Sequence, residues 1–249
     1  MQLDGKTVLL TGATGGLGRA MAEALAQRGA TLVLSSRKPE ELDALALELP
    51  GDGHRRIVSD FEQAGAAEAL AAEAGEIDVV IANAGLGANG SIEEFSGEEI
   101  ARIVTVNLEA PIRLVRTFVP ALRERGSGHV VLVSSLAGKA ATAKTALYTA
   151  TKAGLRGFGI ALRQDLAGDG VGVSIVCPGF VAEAGMFARS GRKPPMNLGT
   201  TTPAAVADAT VRAIERNKPE VDIAPLPQRA LANFAGRRPH LASRISGGA

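Results

Sequence analysis

A single tyrosine and a lysine four residues further on, Tyr148 and Lys152, carry the most chemical information in this chain. Residues 144–165 read as a helix, and residues four apart on a helix lie on one face. The phenol and the ammonium are therefore expected side by side. A cation beside a phenol favours the phenolate and lowers its pKa from about 10. A tyrosine so placed can exchange protons near neutral pH. The competing reading is a half-buried tyrosine with a surface lysine lying over it, and the pair alone does not separate the two. Ser134 and Ser135 end the apolar run 129–133. A serine there can donate to a carbonyl oxygen as it becomes an alkoxide, or simply cap a turn.

The elements that must position these groups begin at residues 7–11, Thr-Val-Leu-Leu-Thr. Such a run suits a strand buried on both faces. Thr11-Gly12-Ala13-Thr14-Gly15-Gly16-Leu17-Gly18-Arg19 follows, then a helical stretch 17–28 closed by Gly29 and a second strand, 30–34. Strand, glycine turn, helix and strand make the first half of a dinucleotide fold. The glycines allow a sharp turn and a close approach of backbone to a pyrophosphate. The helix N-terminus supplies N–H groups and the positive end of a dipole. Placement between two strands distinguishes this loop from an ordinary glycine turn.

The glycines at 12, 16 and 18, with another at 15, give Thr-Gly-x-x-x-Gly-x-Gly rather than Gly-x-Gly-x-x-Gly. This pattern resembles the classical short-chain dehydrogenase/reductase family, and the resemblance covers about residues 5–225. It implies a doubly wound α/β Rossmann fold, a single domain with a mainly parallel seven-stranded sheet. It also implies reversible hydride transfer between a nicotinamide and a carbonyl/alcohol pair. The implied catalytic set is Tyr148, Lys152, Ser135 and Asn107. Tyr148 would trade the proton, and Lys152 would lower the phenol's pKa and bind the nicotinamide ribose. Ser135, thirteen residues before Tyr148, matches the family's serine, with Ser134 the lesser candidate. Asn107 matches by position an asparagine that perturbs its helix and holds a water linked to the lysine.

For the cofactor, the resemblance implies a cradle of Gly12, Thr14, Gly15, Gly16, Leu17 and Gly18. Asp60 would contact the adenine with help from the backbone of Phe61, and Asp60 would also cap the helix that begins near Glu62. Asn83-Ala84-Gly85 resembles the family's Asn-Asn-Ala-Gly element, with Ala82 in place of the first asparagine. Pro178-Gly179-Phe180-Val181 resembles the turn beside the nicotinamide, where the backbone of Val181 would hold the carboxamide. Glu183 stands where the family often has a threonine. The second strand ends Leu34-Ser35-Ser36-Arg37-Lys38. Ser36 occupies the place of the acid that binds a ribose 2′-OH, and Arg37 follows it. An arginine can bind a 2′-phosphate, so NADP(H) is expected over NAD(H), which stays possible. The alternative is an Arg37 that merely faces solvent.

Residues 203–217 read as a helix and 220–224 as the seventh strand, while 97–125 reads as one long helix bent at Pro111. A substrate loop is expected over 183–202. Its Met186, Phe187, Pro194, Pro195, Met196 and Leu198 suit a fairly apolar substrate. Its Arg189, Arg192 and Lys193 could meet an acidic head group, although exposed loop charges are usually only solvated. The tail, 226–249, carries Arg229, Arg237, Arg238 and Arg244, no acids, and apolar Leu231, Phe234, Leu241 and Ile245. Packing on a neighbouring subunit or trailing in solvent is favoured there over an anionic membrane surface.

Composition narrows the classes. Lys+Arg 27 against Asp+Glu 26 leaves no basic field to recruit nucleic acid. The lone Cys177 cannot form an internal disulfide and is read as a buried small residue, which fits a reducing compartment. No signal peptide or bilayer-spanning run is visible, so a cytosolic protein is expected. His54, His129 and His240 lack metal-ligand spacing, and no metal is expected. The partners expected are a small-molecule carbonyl/alcohol and, by resemblance alone, further copies in a homodimer or homotetramer. A non-catalytic dinucleotide sensor or scaffold is the alternative function, which the Ser, Tyr and Lys set argues against. An epimerase or dehydratase would need a larger C-terminal substrate domain.

Overall fold

Strands of four to eight residues form the centre of the molecule, the inner ones from apolar runs and the two edge strands, Arg-Arg-Ile-Val and Glu-Val-Asp-Ile, from mixed ones. The computed structural model describes residues 1–182, 198–238 and 240–241. The strands are β1 (Thr7–Thr11), β2 (Thr31–Ser36), β3 (Arg55–Val58), β4 (Val79–Ala82), β5 (Gly128–Val133), β6 (Val171–Pro178) and β7 (Glu220–Ile223). They pair in the order β3-β2-β1-β4-β5-β6-β7. Every pairing is parallel. The helices are α1 (Gly16–Ala26), α2 (Pro39–Glu48), α3 (Ala66–Ala74), α4 (Gly97–Val104), α5 (Ala110–Glu124), α6 (Ala146–Asp165), α7 (Pro203–Glu215) and α8 (Leu226–Arg237).

The chain winds one way from β1 to β3 and the other way from β4 to β7, so the switch falls between β1 and β4. At such a point the connections diverge, and a crevice opens at the strands' C-terminal ends. Side chains alternate along each strand. Val8 and Leu10 pack with Met21 and Leu25 of α1 and Val211 and Ile214 of α7. Leu9, Val33 and Val80 face the other way, toward Leu70 of α3, Leu114 of α5 and Leu155 of α6. Each such side chain contributes about 1.5–3 kcal/mol by leaving water.

The stretch 97–125 is not one helix bent at Pro111. A capping box starts α4: Glu99 N donates to Ser96 Oγ, and Ser96 N donates back to Glu99 Oε2. A π-helical turn, Thr105–Glu109, then joins α4 to α5. Pro111 has no N–H to give to the carbonyl of Asn107, four residues back, so the α-helical ladder is interrupted there. The π turn lies at this interruption and is centred on Asn107.

The tail also differs from expectation. Its first part is α8, which packs on this chain's own sheet: Gln228, Ala232 and Ala235 are buried, and Ala232 clusters with Leu136, Ile175 and Cys177. Arg244 and Ile245 lie outside the described residues. So do Glu183, Met186, Phe187, Arg189, Arg192, Lys193, Pro194, Pro195 and Met196. Among the described residues, no helix is long and apolar enough to cross a membrane.

His129 on β5 makes a measurable contribution to stability. It is buried and shares a 2.8 Å hydrogen bond with Ser174. Burial, assisted by the positive N-terminus and Arg163, pushes its pKa down to about 3 from 6.5. Below pH 6.5 the unfolded chain takes up a proton that the folded one refuses, so stability falls with pH. At pH 5 the loss from this group is about 2 kcal/mol. Urea unfolding at pH 7 and pH 5 should show that the drop is smaller by about that amount in His129→Gln.

Candidate functional site

At the mouth of β1 the chain turns through Gly12, whose φ of +64° suits glycine. A Cβ there would stand 2.9 Å from the Cα of Ala84, and a Cβ on Gly18 would stand 2.2 Å from the carbonyl oxygen of Gly12. No side chain except hydrogen therefore fits at either position. Polar side chains at the strand ends brace the turn. Thr11 Oγ1 accepts from the N–H groups of Asn83 (3.0 Å) and Ala84 (3.1 Å). Asn83 Nδ2 donates to the carbonyls of Thr11 (2.9 Å) and Gly12 (3.2 Å). The amide of Asn83 thus supports the glycine loop. No side chain caps the N-terminus of α1, and its first turn holds no acid. Its leading N–H groups, with the dipole behind them, could receive an anion.

At the end of β2, Ser36 Oγ lies 2.7 Å from Thr14 Oγ1 and accepts from Lys38 N at 3.3 Å. Arg37 does not simply face solvent. Its Nη1 donates to Glu62 Oε1 at 2.9 Å. Lys38 is paired with Glu41 at 2.6 Å. Asp60 Oδ1 accepts from Glu62 N at 3.1 Å, but this bond closes a turn and caps no helix, because α3 begins only at Ala66 with Gly65 as its N-cap; Phe61 is buried beside it.

The reactive groups meet where β5 ends. Lys152 on α6 is 1% exposed, and its Nζ donates to the carbonyl of Val133, the last residue of β5, at 2.9 Å. It lies 5.9 Å from the centre of the Tyr148 ring. Ser135 is near enough to the Tyr148 phenol to lower its pKa; its hydroxyl donates to Pro178 O at 3.3 Å and accepts from Ala137 N at 3.1 Å. Ser134 instead donates to the backbone carbonyl of Lys152 at 2.8 Å, which leaves Ser135 as the serine at the phenol. The turn after Ser135 is pinned by Lys139, whose Nζ stands 2.5 Å from both Glu220 and Asp222 of β7. Asn107 is wholly buried. Its Oδ1 accepts from Leu86 N (2.6 Å), and its Nδ2 donates to Leu86 O (2.9 Å) and Thr151 Oγ1 (3.3 Å).

The electrostatics correct one expectation. Lys152 does not depress the phenol. The residue is only part-buried, but enough protein surrounds its hydroxyl that burial pushes Tyr148 up to about 12, against a lowering pull from the nearby Ser135. Burial also brings Lys152 down to about 8, so desolvation dominates both groups. Cys177, fully buried, is pushed up to about 12 by the same cause. A thiol with so little thiolate is chemically inert.

One cleft of about 1160 Å³ joins all these parts. It is lined by Gly12, Thr14, Gly15, Gly16, Leu17 and Gly18 at one end, and by Ser36, Arg37, Asp60 and Phe61 beside them. Asn83, Ala84 and Gly85 form its floor, and Ser135, Tyr148, Lys152, Pro178, Gly179 and Val181 its far end. Asn107 sits behind the lining. Residues absent from the sequence reading of the site also line it: Thr11, Thr142, Thr145, Gln228, Leu231 and Ala232. A polar residue closing an apolar strand could have flagged Thr11. The sequence carries no comparable signal for Gln228, Leu231 or Ala232, because only the docking of α8 brings them there.

A family model described as short chain dehydrogenase matches residues 6–194. The chain belongs to the short-chain dehydrogenase family. It is an oxidoreductase of that family, and its seven-stranded all-parallel sheet matches the fold of the family's solved structures. Among curated members, a ketoacyl reductase of Nostoc sp. is 42% identical over 225 residues, covering 88% of this chain and 78% of the relative. A 3-oxoacyl-acyl-carrier-protein reductase of Escherichia coli is 32% identical over 184 residues, covering 73% of this chain and 75% of the relative. A short-chain dehydrogenase from Sphingobium yanoikuyae, solved in complex with NADPH, superposes with a TM-score of 0.83 at 28% identity and covers 98% of both chains.

Proposed function

We propose that this chain is an NADP(H)-preferring reductase of a fairly apolar carbonyl compound, of the ketoacyl class that two of its relatives are named for. The observation that carries the reading is that Ser135, Tyr148 and Lys152 line one end of a cleft whose other end is the glycine cradle. When bound, the dinucleotide supplies the hydride. Gly12, Thr14, Gly15, Gly16, Leu17 and Gly18 take the pyrophosphate, and Ser36 and Arg37 the 2′-phosphate. Asp60 and Phe61 border the adenine, and Asn83, Ala84 and Gly85 the adenosine ribose. Pro178, Gly179 and Val181 flank the carboxamide.

Tyr148 gives its proton to the carbonyl oxygen in reduction and takes it back in oxidation. A phenol held near 12 is un-ionised at neutral pH, and that is the form reduction uses. Ser135 donates a second hydrogen bond to the same oxygen as charge develops on it. Lys152, fixed by the carbonyl of Val133, binds the nicotinamide ribose and keeps a positive charge near the reacting oxygen. Asn107 holds Leu86 and Thr151 around that lysine. Leu86, Leu136, Leu198 and Leu231 give the cleft an apolar wall suited to an acyl chain.

The test is a fluorescence titration with NADPH and, separately, NADH. NADPH should bind about tenfold more tightly, the equivalent of one charge-assisted contact. Tighter NADH binding would overturn the cofactor preference alone, and binding of neither would overturn the whole reading. The Arg37–Glu62 pair adds a prediction of its own, since a 2′-phosphate must compete with that carboxylate for the guanidinium. Arg37→Gln should erase most of the preference. Glu62→Gln should tighten NADPH by about two- to fivefold at low salt and leave NADH unchanged. In the Arg37→Gln background, Glu62→Gln should have no effect on either cofactor.

A further inference from the structure

The Pro178–Val181 turn is held by a side chain from a distant part of the sequence. Gln228 on α8 is 5% exposed. Its Oε1 accepts from the N–H of Phe180 at 3.1 Å, while its Nε2 donates to the carbonyls of Leu198 (3.1 Å) and Gly199 (2.6 Å). One amide therefore joins two backbone stretches on opposite sides of residues 181–197. Backbone bonds continue the join: Thr201 N donates to Phe180 O at 2.8 Å, and Ala182 N donates to Thr201 O at 2.9 Å. Gly179 completes it. A Cβ there would stand 2.2 Å from Gln228 Oε1 and 2.7 Å from the Cβ of Ala224. The glycine thus leaves the space that the glutamine fills. Gln228, Phe180, Val181 and Leu198 all line the far end of the cleft.

A buried amide with its donors and acceptor used in three directions specifies one backbone arrangement, since losing any one bond leaves a buried polar group unpaired. We infer that Gln228 is a positioning residue for the nicotinamide end of the cofactor site: it fixes the backbone of Phe180 against Leu198 and Gly199, and so fixes where Val181 presents its backbone groups. This rests on the functional reading above. The glycine cradle and Arg37 lie at the other end of the cleft and touch none of these bonds.

The two ends can therefore be separated by ligand. Adenosine 2′,5′-bisphosphate carries the adenosine half of NADPH without the nicotinamide. Gln228→Leu should weaken NADPH about tenfold, the loss of one buried hydrogen bond's worth of positioning, while the bisphosphate changes by less than about twofold. NADPH bound at saturation should also show a smaller emission enhancement, which reports the nicotinamide's surroundings. Gln228→Glu keeps the acceptor for Phe180 but sets a buried carboxylate against the carbonyls of Leu198 and Gly199, so its effect on NADPH should be at least as large as that of Gln228→Leu. Gly179→Ala should reproduce the Gln228→Leu pattern by displacing the glutamine. Equal losses for both ligands would mean general distortion and would overturn the inference. So would wild-type values for NADPH affinity and emission in Gln228→Leu. A wild-type protein that binds neither cofactor would overturn the functional reading and this inference with it.

Discussion

Tyr148→Phe should reduce carbonyl turnover by about 10²–10⁴-fold, the range for loss of a positioned general acid, while NADPH affinity stays within about twofold of wild type. The substitution removes one atom. The ring packs beside Ala88, Ile103 and Leu147, and phenylalanine keeps those contacts. Ser135 keeps its hydrogen bonds to Pro178 O and Ala137 N. Stability should therefore shift by no more than about 1 kcal/mol. NADPH consumption with a β-keto ester, beside thermal unfolding and cofactor titration, separates chemistry from folding. Retained turnover would remove Tyr148 as the proton donor. Ser135→Ala should cost about 10²–10³-fold in the same assay, as for other donors to a developing oxyanion.

Lys152→Met should abolish most turnover and yet stabilise the folded protein. Lys152 is 1% exposed, and burial holds its pKa at about 8 against an ordinary 10.5. That gap corresponds to a penalty of about 3 kcal/mol for keeping the group charged at neutral pH. Methionine fills nearly the same volume without a charge. Val133 O loses its donor, which offsets part of the gain. A net rise of about 1–3 kcal/mol at pH 7 is expected. The pH dependence follows from linkage. Between about pH 8 and 10.5 the unfolded chain binds more protons at this site than the folded one, so wild-type stability rises with pH there. The methionine variant's advantage should therefore be full below pH 8 and shrink toward pH 10.5. Urea unfolding of both proteins at pH 7 and pH 10 measures this. A variant less stable than wild type at pH 7 would show that the lysine is a structural strut rather than a strained functional group.

The sequence determined most of the frame, because its signals are local. Period and length of the apolar runs mark the strands. Gly12 and Gly18 mark a turn where only hydrogen-sized side chains fit. The four-residue step from Tyr148 to Lys152 follows from helix geometry. Tertiary structure decided what depends on surroundings. The direction of a pKa shift is set by how much protein encloses a group, and neither the enclosed Tyr148 hydroxyl nor the desolvated Lys152 is visible as a pattern of residue types. Arg37 reads as a free cation until Glu62, twenty-five residues on, is folded against it. The π turn at Asn107 combines a local cause, the missing N–H of Pro111, with the partners that Leu86 and Thr151 supply from elsewhere. Gln228 stands at the far end of this range. Nothing adjacent to it suggests a site, and its three hydrogen bonds exist only because α8 docks across the end of β6 and reaches Phe180, forty-eight residues away in sequence.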